Sequence, residues 1–199
     1  NRKAIKGFSP QAMDRLIRHN VIPMSGRAVE AAMEEAGLAD KVSGDLESIA
    51  FEDFETTYVG TFDVGFPEPP CPPYEGLYGG AMPRTEVMLE VSAFYAHFGL
   101  GMSQEDGKRE LPDYLCAELE FLHFLTFKEA QARQEGNQEP VNGYLLAQKD
   151  FLERHMVGWL PKFYEKVQGV DALAFYPDLA RILVQFVNGE FALLKDVVS

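Results

Sequence analysis

The residues best suited to chemistry lie in ELPDYLCAELEFLHFLTF, positions 110–127. Glu110, Asp113 and Glu118 place three carboxylates in one short segment. Carboxylates so spaced could trade protons as a small hydrolase does, pair with a cation, or receive a basic peptide. Pro112 suits the first turn of a helix, where its missing donor costs nothing, and Asp113 then sits at the positive end of the dipole. At about 100° per residue, Leu115, Leu119 and Leu122 share a face while Asp113 and Glu120 lie nearly opposite. Glu118 projects beside that apolar stripe. It is therefore either a partly exposed flank or cation partner, or a carboxylate at the rim of a groove.

Two further segments carry chemical side chains. In YLLAQKDFLERHMVGWLPKFYEKV, 144–167, Phe151, His155 and Trp159 recur at four-residue steps and Phe163 follows. A stripe of that kind reads as bundle packing, with the ring nitrogens of His155 and Trp159 seeking partners. Pro161 should kink the pattern after Leu160. The run Pro72-Pro73-Tyr74-Glu75-Gly76-Leu77-Tyr78 is a rigid loop bearing aromatics, able to anchor a fold or to display a ring to a partner.

Other chemistries lack their residues. His19, His97, His123 and His155 are scattered without zinc-site spacing, so no metal is expected. No Walker loop, Gly-x-Ser-x-Gly elbow or EF-hand loop occurs. Gly99-Leu100-Gly101 lacks a third glycine and a preceding strand, which makes it a helix end. Cys116, inside a helical apolar pattern, reads as a small buried residue. No reaction and no cofactor is proposed by these residues.

The elements that must position them are helical. Leu46, Ile49, Ala50, Phe54 and Tyr58 recur at three- and four-residue steps through 45–58. Residues 27–36 are rich in Ala and Glu and stop at Gly37. Residues 84–98 align Met88, Val91, Tyr95 and Phe98; 111–130 and 144–168 are long helical patterns; 171–196 aligns Leu179, Leu183, Phe186, Val187 and Leu194. No alternating strand pattern is present. The expectation is an all-α, single-domain helical bundle over 1–199. It is interrupted by a loop at 60–83, which holds six of the twelve prolines, and by a polar connector at 131–143.

Composition sets the outer limits. The chain has 199 residues, 46% of them hydrophobic, and a formal charge of −13. A chain of this length buries roughly 70% of its unfolded surface, enough for one sizeable core. The negative charge disfavours nucleic acid and anionic membranes as partners and favours a basic peptide. Two cysteines, Cys71 and Cys116, make no disulfide framework. No apolar run approaches the roughly 20 residues of a membrane helix. The start NRKAIKGF lacks the apolar stretch of a signal peptide. A cytoplasmic protein is expected.

In these blocks the sequence resembles the TorD/DmsD/NarJ family of molybdoenzyme assembly chaperones. That family runs an acidic-Pro-Asp-x-Leu segment into Glu-Leu-x-Phe, and a later helix carries Phe-Leu, His and Trp. The matching positions are Glu110, Pro112, Asp113, Leu115, Glu118, Leu119 and Phe121, then Phe151, Leu152, His155 and Trp159. Tyr58, Phe62, Asp63 and Gly65 with PPCPPYEGLY are similar to the branch serving type II dimethyl sulfoxide reductase-like enzymes. The resemblance spans about 58–165. It implies an all-helical protein without catalytic activity. It also implies a partner: the catalytic subunit of a molybdopterin oxidoreductase, held for cofactor insertion, commonly by its twin-arginine leader peptide. Asp113, Tyr114, Glu118, Pro73, Tyr74 and Tyr78 are then the candidate client-binding residues; Pro112, Leu115, Leu119, His155 and Trp159 are scaffold at the motif. Tyr114 stands where the family usually has His, so the carry-over covers Asp113 and leaves position 114 open. The protein could act as a monomer or a homodimer. The family's links to guanine nucleotide and to cofactor binding have no counterpart feature in this sequence. A small helical hydrolase using Glu118 and Asp113 is the alternative.

Overall fold

The structure is a computed structural model that describes residues 48–80, 82–102, 110–171, 173 and 175–198. The helix expected over 27–36 lies outside them. Six α-helices are described: α1 Phe51–Tyr58, α2 Arg84–His97, α3 Leu115–Gln134, α4 Gln138–His155, α5 Leu160–Gln168 and α6 Phe175–Val198. Among the described residues, strand-like pairing is limited to one antiparallel bridge between Tyr74 and Tyr114. The fold class is all-α, as expected.

Helix α3 packs on α4, α4 and α5 pack on α6, and α2 packs on the short 3-10 turn Glu75–Leu77. Their apolar faces meet in one cluster centred on Phe151, which has no exposed surface. The Phe121 and Phe94 rings reach it at centroid distances of 4.8 Å and 5.3 Å. Edge-to-face contacts of this kind add to what area burial alone supplies. Helix α1 contributes no buried residue, only the half-buried Phe54 and Tyr58 at the margin.

Three boundaries depart from expectation, each for a physical reason. Pro112 is not in the first turn of α3, which starts at Leu115. The backbone groups that would begin the helix earlier are engaged across the bridge: the Asp113 carbonyl accepts from Glu75 N–H and Leu115 N–H donates to the Pro73 carbonyl, both at 2.9 Å. The supposed connector at 131–143 is mostly helix, and only Glu135–Asn137 separate α3 from α4. Gly136 reverses the chain there with φ +70°, a conformation that suits glycine. Pro140 falls in the first turn of α4, where it is tolerated. At Pro161 the chain does more than kink. Helix α4 ends at His155 and a new helix begins at Leu160, with Pro161 in its first turn.

Candidate functional site

Within the Pro/Gly-rich segment, Tyr74–Tyr78 form a clasp held from α2, α4, α5 and the segment just before α3. From α2, Arg84 Nε donates to Asp113 Oδ2 at 2.9 Å, and its guanidinium lies 4.8 Å from the Tyr74 ring centre. Gly76 N–H also points to Asp113 Oδ2, at 3.3 Å. Tyr95 donates its phenol hydrogen to the Pro112 carbonyl at 2.9 Å. From α4, His155 Nδ1 lies 3.1 Å and 3.3 Å from the Glu75 carboxyl oxygens. From α5, Lys162 Nζ donates to the Tyr78 carbonyl at 3.0 Å. Position 76 must be glycine for this closeness, because a β-carbon there would run into Arg84 Cγ and stand 3.0 Å from Asp113 Oδ2.

The clasp encloses ionisable groups. Asp113 and Glu118 have no exposed surface, and Glu75 and His155 are buried with them. Among the described residues, no hydrogen bond of ordinary length reaches either Glu118 oxygen, His155 Nε2 or Trp159 Nε1, although the Glu75 carboxyl and the Trp159 indole lie close enough to act on Glu118. Burial, and then the neighbouring Glu75 charge, push the Glu118 carboxyl well above the usual carboxylate range. Burial also raises Glu75, against the lowering effect of His155.

The sequence-derived site residues are therefore brought together, but inward. Asp113 and Tyr114 meet Pro73, Tyr74 and Glu75 across the bridge, whereas Tyr78 packs on Trp159 and Phe163. The rim reading of Glu118 is corrected. One turn before Phe121 and Leu122, it lies on the core-facing stripe of α3, whereas Leu115 and Leu119 are only half-buried. Pro73, Tyr78 and Asp113 are likewise buried and give a peptide no surface in this arrangement; Tyr74 and Tyr114 keep partial exposure, their rings 5.3 Å apart. His155 and Trp159 are buried. Cys116, expected inside, is exposed, and Cys71 is buried.

Sequence reasoning missed Glu75, Arg84 and Tyr95. Their partners lie 80, 29 and 17 residues away in the chain, beyond any periodicity. It also missed an open groove of about 570 Å³ between α2 and α4. Ala93, Phe94, Phe98, Leu146 and Ala147 form its apolar floor, and Glu90, His97, Asp150 and Arg154 its edge. Arg154 closes one end by donating to Glu90 at 2.9 Å while lying over the Phe94 ring.

The ionisable cluster is thus sealed inside the helical bundle, while the open cleft is floored by aromatic and aliphatic carbons. The family model of the nitrate reductase delta subunit matches residues 27–165. The chain is 39% identical over 167 residues to the perchlorate reductase assembly chaperone protein of Dechloromonas aromatica (strain RCB), covering 81% of this chain and 72% of that one. It is 33% identical over 141 residues to the selenate reductase assembly chaperone protein of Thauera selenatis, covering 70% and 67%. A candidate redox enzyme maturation protein from Archaeoglobus fulgidus superposes with a TM-score of 0.50 at 22% identity, covering 91% of this chain and 96% of that one, which shows a shared fold. The chain belongs to the nitrate reductase delta subunit family. It is an assembly chaperone and not a catalyst, so the hydrolase alternative is set aside. Asp113 and Glu118, the carboxylates that alternative required, have no exposed surface.

Proposed function

We propose that this chaperone binds the catalytic subunit of a molybdopterin-dependent oxyanion reductase in the cytoplasm and holds it for cofactor insertion before export. The observation that carries this reading is the similarity, over more than two thirds of their length, to assembly chaperones of perchlorate and selenate reductases. The contact is the client's twin-arginine leader. Such a segment is basic at its start and apolar behind, and it needs an apolar strip with carboxylates at its edge. The α2–α4 groove supplies both, with Phe94, Phe98 and Leu146 on the floor and Glu90 and Asp150 at the edge. Tyr74 and Tyr114 supply a second partly exposed aromatic surface. Asp113 and Glu118 serve by holding the clasp. No helix among the described residues is long and apolar enough to cross a membrane.

Calorimetric titration tests the reading, with a leader peptide and separately with the leaderless apo-subunit of a reductase encoded beside this chain. The leader should bind at micromolar concentration. Leu146, which is exposed in the groove, offers the informative substitution. Leu146→Glu should weaken the leader about tenfold or more, equivalent to roughly 1.4 kcal/mol, without lowering the melting temperature. Binding of the leaderless subunit alone would move the contact to the mature protein. Binding of neither would overturn the proposal.

A further inference from the structure

Glu118 sits where an ionised carboxylate is strongly disfavoured, because it has no exposed surface and, among the described residues, neither oxygen makes a hydrogen bond of ordinary length, while the Glu75 carboxyl and the Trp159 indole N–H lie close enough to act on it. The groups around it come from every neighbouring element. The 3-10 turn contributes Glu75, which His155 of α4 engages through Nδ1. The segment before α3 contributes Asp113, already paired with Arg84 of α2. Helix α2 adds the Tyr95 phenol, committed to the Pro112 carbonyl, and the turn after α4 adds the Trp159 indole N–H, which favours the ionised form of Glu118 against the larger effects of burial and Glu75. Three carboxyl groups thus face one committed guanidinium and one imidazole. A proton on Glu118 removes one of the three negative charges crowded there.

We propose that Glu118, Glu75 and His155 form a proton-held latch fastening the Tyr74–Tyr78 turn to α3 and α4, closed while Glu118 keeps its proton and loosened when it is lost. Opening releases that proton to water and changes no covalent bond. A second negative charge beside Glu75 repels it, and the turn is attached to α3 by few other bonds: the two amides of the Tyr74–Tyr114 bridge and the Gly76 amide on Asp113. The sign follows from linkage. A carboxyl raised in the folded state stabilises the closed form fully below its unfolded value, and the contribution is lost as pH rises through the folded value. The latch does not depend on which client the chain binds.

Amide hydrogen exchange of the full chain, expressed as protection relative to the intrinsic rate, reads the latch directly. The Glu75 and Leu115 amides cross the joint, and Phe163 and Val167 in α5 serve as reference. From about pH 5 to about pH 9, joint protection should fall by up to about tenfold per pH unit, the limit for opening linked to one proton, while the reference holds. Glu118→Gln, which mimics the protonated acid, should keep the joint protected throughout. Flat protection in the native chain, or a parallel fall in E118Q, overturns the latch. Should E118Q fail to fold, the Glu118 carboxyl carbon resonance of the native chain decides. Titration well above the ordinary carboxylate range supports the latch, and titration within it overturns it.

Discussion

Asp113 shows what a single residue does here. Its type and its place after Pro112 mark it as the motif carboxylate, and a surface role in receiving a basic leader is the natural inference. Its two oxygens instead serve Arg84 and the Gly76 amide inside the clasp. Gly76 is the matching requirement, since any side chain there must displace Arg84 or Asp113. Gly76→Ala should destabilise the fold by about 1–3 kcal/mol, the range for forcing extra carbon into a packed site. Urea denaturation should show a lower midpoint with an unchanged slope. Motif membership was legible at this scale; the partner was not, because Arg84 lies 29 residues away.

At the scale of elements, the six helices rest on apolar periodicity, but local backbone competition sets their ends. Helix α3 starts late because the bridge takes the Asp113 carbonyl and the Leu115 amide, and α4 stops at His155 before α5 begins with Pro161 in its first turn, where it is tolerated. The contact between elements also creates a second carboxyl site. Glu190 on α6 is half-buried near Glu129 of α3, and burial followed by that charge pushes it up to about 7. Glu129 is engaged by Arg133 and by the buried Gln148 of α4. The Glu190 contribution to stability is present below the unfolded carboxylate value and is lost as pH rises to about 7. Glu190→Gln should therefore melt progressively above the native chain as pH rises across that interval, with the gap constant at higher pH. Melting curves collected at intervals from about pH 4 to about pH 8.5, spanning both values, check the sign. A gap that is constant across the series, or that reverses, removes the assignment.

At the scale of the whole molecule, the charge of −13 gives a long-range field rather than a site. The carboxylates first proposed to receive the leader are inside, so attraction must come from surface acids distributed around the groove. Salt should then act on encounter more than on residence. Raising ionic strength from about 0.05 M to about 0.5 M, which shortens the screening length severalfold, should slow association of a basic leader and leave its dissociation rate nearly unchanged. Stopped-flow measurement separates the two. A change confined to dissociation would place the leader's charges in direct buried contact.

The sequence by itself determined the helical class and membership of the chaperone family, while the loop expected over 60–83 opens on a helical turn, Val59–Asp63. These depend on residue type, local spacing and motif order, which are properties of the chain read in one dimension. It also singled out Pro73, Tyr74, Tyr78, Asp113 and Glu118 but not their partners Glu75, Arg84 and Tyr95. Tertiary structure decided which way they face. Glu75 meets His155 across 80 residues of chain and Asp113 meets Arg84 across 29, and only those meetings turn exposed-looking carboxylates into a sealed joint. The α2–α4 groove was decided at the same level. Its floor joins residues 93–98 to residues 146–147, and two faces far apart in sequence become one surface only when the helices pack.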